Sequence, residues 1–211
     1  MSIFSGDKNI YPSVVSVPTV YETPTVYDTG AGGGVEIGGV KYTTVKINGV
    51  EWLAENLDYK WDGLSIGDAS VSQDVPQACY YNNNENLFGQ NNKKYGLLYN
   101  WPAILQIDQL IDGWHVPTQA ELQSLYNALS PDFLKHIQSC YDYSLASTFG
   151  LGVGFNMPPS GIFSGSFSGY GSGFYIGSKT QFSAAYMYTL ESSGMDNEGK
   201  NRRVSVRLIK D

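Results

Sequence analysis

The chain has 211 residues, a formal net charge of −7 and a charged fraction of only 16%. Its apolar fraction of 42% is enough to bury a core, so the composition excludes wholesale disorder. The acidic balance argues against a nucleic-acid partner, which needs clustered Lys and Arg. No apolar run reaches about 18 residues, so we expect no membrane insertion. The 24 Gly and 16 Tyr favour a domain rich in loops and strands over a helical bundle.

Residues 1–39 differ in composition from the rest and are predicted to form an extended arm. The hexapeptide Pro-Thr-Val-Tyr-Glu/Asp-Thr occurs twice in succession, at 18–23 and 24–29, and a glycine-rich joint follows at 30–34. Proline every six residues interrupts helices and central strands, so an extended conformation remains. Two interpretations stay open: a disordered leader, or an arm that is ordered by adding strands to a neighbouring subunit. We favour the second. The residues expected to contact that partner are Tyr11, Val20, Tyr21, Val26 and Tyr27.

Residues 40–211 are predicted to form the globular domain, which opens with a β-hairpin. Asn48-Gly49 supplies the two positive φ angles of a type I′ turn between alternating runs at 42–47 and 50–54. Residues 58–94 contain many Asn and few apolar side chains, which is typical of a long loop.

Helix signals follow in the middle of the chain. Thr118 and Glu121 form a capping box before an apolar face at Leu122, Leu125, Tyr126 and Leu129. A second short helix is predicted to begin after Ser130 and to run through Ile137, and a weaker one to cover 102–110. We expect Trp101 and Trp114 to be buried beside Leu122 and Leu125.

The last third of the chain is rich in Gly and aromatic residues, and short strands are predicted around 184–190 and 204–209. The order hairpin, helices, glycine-rich strands indicates an α+β domain. Residues 160–200 also combine Tyr, Gly, Ser and Asn as protein recognition surfaces do.

Few residues are candidates for a catalytic or metal-binding role. His115 and His136 are the only histidines, Cys79 and Cys140 are widely spaced, and the acidic stretch from Glu51 to Asp74 lacks a calcium-loop pattern. No Gly-x-Ser-x-Gly elbow lies between a strand and a helix. We therefore predict no enzymatic activity, no metal and no cofactor, and leave open whether the two cysteines pair.

Four segments, at 47–57, 95–103, 113–122 and 204–211, closely resemble the Fibrobacter succinogenes major paralogous domain. The resemblance covers about residues 40–211 and implies a C-type lectin-like fold with two helices, a twisted antiparallel sheet and long loops. In that fold the ligand face is built on late strands and their loops. The ligand-binding residues that the resemblance implies here are Tyr175, Gln181, Phe182, Tyr186 and Tyr188. The formylglycine-generating enzymes of the same fold need a late cysteine pair, whereas both cysteines here are early.

The first residues show neither the basic nor the apolar region of a secretory signal. A lectin-like domain on an extended arm then predicts a non-enzymatic phage virion protein, such as a head fibre, decoration protein or tail-tip protein, that is assembled in the host cytoplasm. Its expected partners are a capsid or tail protein through the arm, further copies of itself, and a host-surface glycan or protein. The alternative is an exported bacterial surface adhesin or fimbrial tip protein; a formylglycine-generating-type oxidase is a less favoured third.

Overall fold

A computed structural model describes residues 33–67, 70–85, 95–130, 155 and 157–211. The arm residues, the short helix predicted through Ile137, His136 and Cys140 lie outside these ranges. Neither helix of the described part is long and apolar enough to cross a membrane.

The strands in chain order are β1 Gly34–Ile37, β2 Val40–Ile47, β3 Val50–Leu53, β4 Ser65–Ile66, β5 Gln77–Cys79, β6 Leu98–Tyr99, β7 Trp114–His115, β8 Ser160–Phe163, β9 Phe167–Tyr170, β10 Tyr175–Gln181, β11 Tyr186–Glu191, β12 Gly194–Gly199 and β13 Ile209–Lys210. The helices are α1 Trp101–Leu110 and α2 Gln119–Leu129.

The strands form four sheets in the described part of the chain. The largest has the order β1-β2-β3-β13-β7, and two three-stranded sheets have the orders β10-β11-β12 and β4-β5-β6. β8 and β9 form a separate two-stranded hairpin. β1 pairs along the first half of β2, so the sheet includes residues 34–37 of the segment that the sequence assigned to the arm.

The predicted α+β class with a two-helix lectin-like fold is wrong. The described chain is mostly β: its two helices are short, with 10 and 11 residues, and strands make up four sheets. The difference arises in the glycine-rich segment after residue 155. This segment was expected to form loops with a few short strands, but it forms five consecutive paired strands, β8 to β12.

The predicted turn, capping box and weaker helix are confirmed, whereas the segment predicted as a long loop at 58–94 contains β4 and β5. Asn48 and Gly49 have φ angles of 50° and 80° at the turn between β2 and β3. Thr118 accepts a hydrogen bond from the Glu121 amide, and the Glu121 carboxylate accepts one from the Thr118 amide, which closes the capping box of α2. The weaker predicted helix is α1, which begins one residue earlier than predicted because Asn100 caps it.

Two main apolar clusters fill the interior, and the tryptophans are distributed differently from the prediction. Trp114 and the half-buried Trp101 pack in the first cluster with the buried face of α1, whereas Leu122 and Leu125 of α2 belong to the second. Trp52 of β3 is the tryptophan of the second cluster. The expectation that Trp101 and Trp114 lie beside α2 is therefore wrong, because the two helices line different clusters.

The predicted strand at 204–209 is only partly found. Regular pairing is restricted to β13, where Ile209 pairs with both Trp52 and His115, and single bridges join Val204 to Tyr99 and Ser205 to Ile176. Every residue from 203 to 209 is buried, and the segment contacts strands of all four sheets, because Arg203 also forms a bridge with Phe163 of β8.

Candidate binding surface

The end of the β10–β11 hairpin carries an exposed group of aromatic side chains. The turn is closed by hydrogen bonds from the Phe182 and Ser183 amides to the Tyr186 carbonyl, at 2.9 and 3.1 Å. Phe182 and Tyr186 are 50% and 45% exposed, large fractions for aromatic residues in a paired strand end. Isolated exposed apolar residues are common, but two large ones on a single turn indicate a contact surface.

Tyr188 completes this group. Its ring meets the Phe182 ring edge to face, with 5.2 Å between the centroids and 88° between the planes. Tyr186 and Tyr188 are two residues apart on β11 and therefore project from the same face of the sheet. We call Phe182, Tyr186 and Tyr188 the aromatic patch. It offers rigid apolar area with two hydroxyl groups, the chemistry that recognition surfaces use.

Gln181 lies at the same end of the hairpin but on the other face. It pairs with Met187, and cross-strand partners share a face, so its side chain points away from Tyr186 and Tyr188. The Lys200 Nζ donates to Gln181 Oε1 at 2.8 Å and lies 3.8 Å from the centre of the Trp101 ring. Gln181 therefore orients a lysine behind the aromatic patch.

Lys200 ties the hairpin to the start of α1. Its amide donates to the Ala185 carbonyl at 2.9 Å, and its carbonyl accepts from the Trp101 amide at 3.1 Å. The residue is only 5% exposed, and this burial holds the pKa of the Lys200 ammonium below its ordinary value. The contact with the Trp101 ring partly compensates the buried charge. These bonds fix the turn that presents the patch.

Tyr175, the fifth residue that the resemblance implied for ligand binding, lies at the opposite end of β10. It pairs with Glu191, about six residues or roughly 20 Å along the strand from Gln181. Burial, and next the nearby carboxylates of Glu191 and Glu198, raise the pKa of Tyr175. Four of the five residues thus come together at one hairpin end, on two faces, and Tyr175 does not join them.

Glu191 has an unusual carboxyl group. Burial raises its pKa to about 7, the Asp196 and Glu198 carboxylates add to this, and the hydroxyl of Thr189, which donates to it at 2.9 Å, opposes the change. Within the described ranges, no group of three or more His, Cys, Asp or Glu side chains has an arrangement that could hold a metal ion. The carboxyl of Glu191 is thus a titratable group within the sheet.

His115 is held between two carboxylates. Its Nδ1 lies 2.6 Å from Asp211 Oδ1, and its Nε2 lies 3.0 Å from Glu121 Oε1. Glu121 also closes the capping box, so the imidazole joins the start of α2 to β7 and residue 211. Because both ring nitrogens have carboxylate partners, neither is available to activate a nucleophile.

The strand predicted around 204–209 gave no indication of two buried arginines. Arg203 and Arg207 have no exposed surface. Arg203 donates to the carbonyls of Gly67 and Ser70, and Arg207 donates to Asn56 Oδ1 at 2.7 Å. Their hydrogen bonds span more than 130 positions along the chain, so a search of neighbouring residues gives no signal for them. They hold the terminal segment to the loops of the domain.

Cys79 is also buried. It lies in a small third cluster with Leu98 and Phe163. A buried thiol in apolar surroundings is typically inert.

The described part of the chain thus defines a mostly β domain with exposed aromatic side chains on a turn that hydrogen bonds hold in place. Comparison with known families identifies it more closely. Residues 45–210, well over half of the chain, match the Fibrobacter succinogenes major domain, and the chain belongs to this family. No curated protein and no solved structure matches the chain.

Proposed function

We propose that the protein is a non-enzymatic structural component of a phage virion that binds a host surface. In this proposal the arm attaches the protein to a capsid or tail protein and to further copies of itself, and the domain carries the aromatic patch. The observation that supports binding most directly is the exposure of Phe182 and Tyr186 on a turn that Lys200 holds in place. The proline-spaced repeat at 18–29 supports the anchoring role, because its backbone groups need partners that it cannot supply itself.

The patch favours a ligand with both apolar and hydroxyl groups, which a host-surface glycan or a protein loop provides. The test is binding of the full chain to an array of bacterial lipopolysaccharides and capsular polysaccharides and to intact bacterial cells. We expect Phe182→Ala and Tyr186→Ala each to lower binding at least fivefold without changing the melting temperature by more than about 2 °C, since both side chains are half-exposed.

A matched control is available in Leu110, which is 46% exposed at the end of α1. Leu110→Ala removes a similar exposed apolar area elsewhere and should leave binding unchanged. Equal binding by the wild type and both patch variants would exclude the patch as the binding surface.

The location in a virion is tested separately through the gene neighbourhood. We expect genes for capsid, portal and tail proteins beside the coding gene. Genes for export and surface anchoring in their place would overturn the virion assignment and support the alternative, a bacterial surface adhesin or fimbrial tip protein that uses the same patch.

The role of the arm is tested by light scattering of the full chain and of a variant that begins at Gly33, which retains β1. We expect the full chain to form oligomers and the shortened chain to be monomeric. A monomeric full chain would contradict self-association through the arm.

A further inference from the structure

A second set of aromatic rings lies at the surface, away from the aromatic patch. The Tyr170 ring is stacked on Tyr81, with 4.7 Å between the centroids and 28° between the planes, and lies 5.3 Å from the Tyr95 ring. Tyr170 keeps an exposed fraction of 39% although two rings contact it, and Tyr81 and Tyr95 are half-buried. We call these three residues the tyrosine platform.

The platform is fixed to the β8–β9 hairpin by a glycine. Gly161 has a φ of +70°, and a Cβ atom there would lie 2.8 Å from the Tyr81 ring and 2.5 Å from the Ser168 carbonyl oxygen. The Tyr81 ring therefore rests directly on the hairpin backbone. Behind it, Phe167 lies 5.0 Å from Tyr81 and 4.7 Å from Phe163, which is 2% exposed. The row of rings thus runs from the interior to the surface.

The described side chains around the platform are mostly polar and neutral. The turn Tyr81–Asn83 packs on both strands of the hairpin. The exposed neutral side chains on and next to these elements include Asn82, Asn83, Asn84, Ser168 and Ser172. Of the charged side chains in the described part of the chain, Glu85 lies next to this turn, and it is paired with Lys60 at 2.9 Å.

We propose that the tyrosine platform is a binding site for a neutral saccharide, with a pyranose ring against the exposed part of Tyr170. The C–H bonds of a pyranose face carry partial positive charge and are attracted by the negative face of an aromatic ring. The hydroxyls of the same sugar find donors and acceptors in the asparagine amides and serine hydroxyls around the platform.

Charge distinguishes this ligand from a nucleic-acid base, which also stacks on aromatic rings. Single-stranded nucleic acid needs a cationic groove for its phosphates. The chain has a net charge of −7, and Lys60, the described lysine near the turn, is already paired with Glu85. The net charge of −7 and the pairing of Lys60 favour an uncharged ligand over a polyanion, and the oligonucleotide arm of the experiment tests the two lysines, Lys93 and Lys94, that precede Tyr95 in the sequence.

The platform is independent of the proposed function, because it lies on the β8–β9 hairpin and the aromatic patch lies at the far end of β10. Tyr175, at the near end of β10, packs beside the same hairpin: a Cβ atom on Gly169 would lie 3.5 Å from its ring. Variants at one site should therefore leave the other unchanged.

The experiment is saturation-transfer NMR of the full chain with four neutral probes: maltohexaose, cellohexaose, laminarihexaose and chitohexaose. We expect transfer to the pyranose protons of at least one probe with the wild type and Tyr170→Phe, and at least fivefold less with Tyr170→Ala. Tyr170→Leu keeps apolar bulk in the hairpin and removes the aromatic ring, so it should also lose the signal. It replaces Tyr170→Ala in the comparison if the alanine variant is unfolded. Leu110→Ala, which removes exposed apolar area at the end of α1 and belongs to neither site, is the matched control and should bind as the wild type does.

Three results would overturn the inference. The first is no transfer to any of the four probes. The second is equal transfer with folded Tyr170→Leu. The third is salt-sensitive binding of a dT oligonucleotide that Tyr170→Leu abolishes, which would assign the platform to nucleic acid.

Discussion

Asn100 is a residue at which a single substitution removes several hydrogen bonds at once, because its side chain joins α1 to two other segments. It is fully buried. Its Oδ1 accepts from the Gln77 amide at 2.8 Å and from the Ala103 amide, as the N-cap of α1, at 3.2 Å. Its Nδ2 donates to the carbonyls of Ser72 and Val75 at 3.0 and 2.8 Å. We predict that Asn100→Ala is among the more destabilising polar substitutions in the domain.

The magnitude follows from the groups that lose a partner. The missing N-cap costs about 1 kcal/mol. The Gln77 amide is left buried without an acceptor, which adds about 1–2 kcal/mol. The two carbonyls lie on partly exposed residues and can be hydrated, so together they add at most about 1 kcal/mol. The expected loss in the free energy of unfolding is therefore about 3 kcal/mol, or about 6–12 °C in melting temperature for a domain of this size.

Thr118→Ala is the matched control, because Thr118 caps α2 and its hydroxyl bonds only within the capping box. We expect it to cost about 1 kcal/mol. The measurement is urea unfolding of both variants, followed by tryptophan fluorescence. If Asn100→Ala costs no more than Thr118→Ala, the hydrogen bonds to residues 72–77 do not stabilise the domain, and this reasoning is refuted.

Three further predictions concern the sheet, the hairpin and the core. The folded-state pKa of Glu191, about 7, lies above its ordinary value of 4.5, so the wild type should lose stability as pH rises from 4.5 through 7, and Glu191→Gln should remove this loss. At pH 8 the variant should be more stable by about 1–2 kcal/mol in thermal unfolding, allowing for the partial exposure of the group; a parallel pH profile would contradict this. Gly161→Ala should cost at least about 2 kcal/mol in urea unfolding, because its Cβ would collide with the Ser168 carbonyl and the Tyr81 ring, and a neutral effect would show that the hairpin can shift. Trp52→Ala should cost about 3–5 kcal/mol in the same assay, since Trp52 is 2% exposed in the second cluster, and a loss below 1 kcal/mol would show that this cluster is loosely packed.

The elements that could be predicted from the sequence are those whose determining residues are adjacent in the chain. Asn48-Gly49 encodes the turn of the first hairpin, and Thr118 with Glu121 encodes the start of α2. The start of α1 could also be predicted from the sequence, because Asn100 is a favoured N-cap residue and lies two positions before Pro102.

The fold class could not be derived in this way, because many of its strands are created by distant partners. The strands β4, β6, β7 and β13 have two residues each, too few for an alternating pattern to appear. Ile209 is in a strand because it pairs with Trp52 and His115, which lie more than 90 positions earlier. A local pattern therefore underestimates the strand content and gives the two helices too much weight.

The buried arginines show the same limit for side chains. In 203–209 the polar positions Arg203, Ser205 and Arg207 alternate with apolar ones, as in a strand with one solvated face. Both faces are buried, and the polar side chains bond to groups such as Asn56 Oδ1, which lies about 150 positions from Arg207. An alternating pattern of polar and apolar residues indicates that the two faces of a strand have different environments. It does not show that either face is exposed to solvent.

The position of the aromatic patch depends on a detail of pairing that the sequence does not show. Between Gly177 and Gln181 the register of β10 against β11 shifts through a bulge, because Gly177 pairs with Thr189 while Gln181 pairs with Met187. Four residues on β10 thus correspond to two on β11, which bends the strand and redirects the side chains beyond it. Composition alone indicates only where Tyr, Gly, Ser and Asn are concentrated. The bulge, together with the contact of Lys200 with Trp101, places Phe182 against Tyr188 at the surface and separates both from Tyr175.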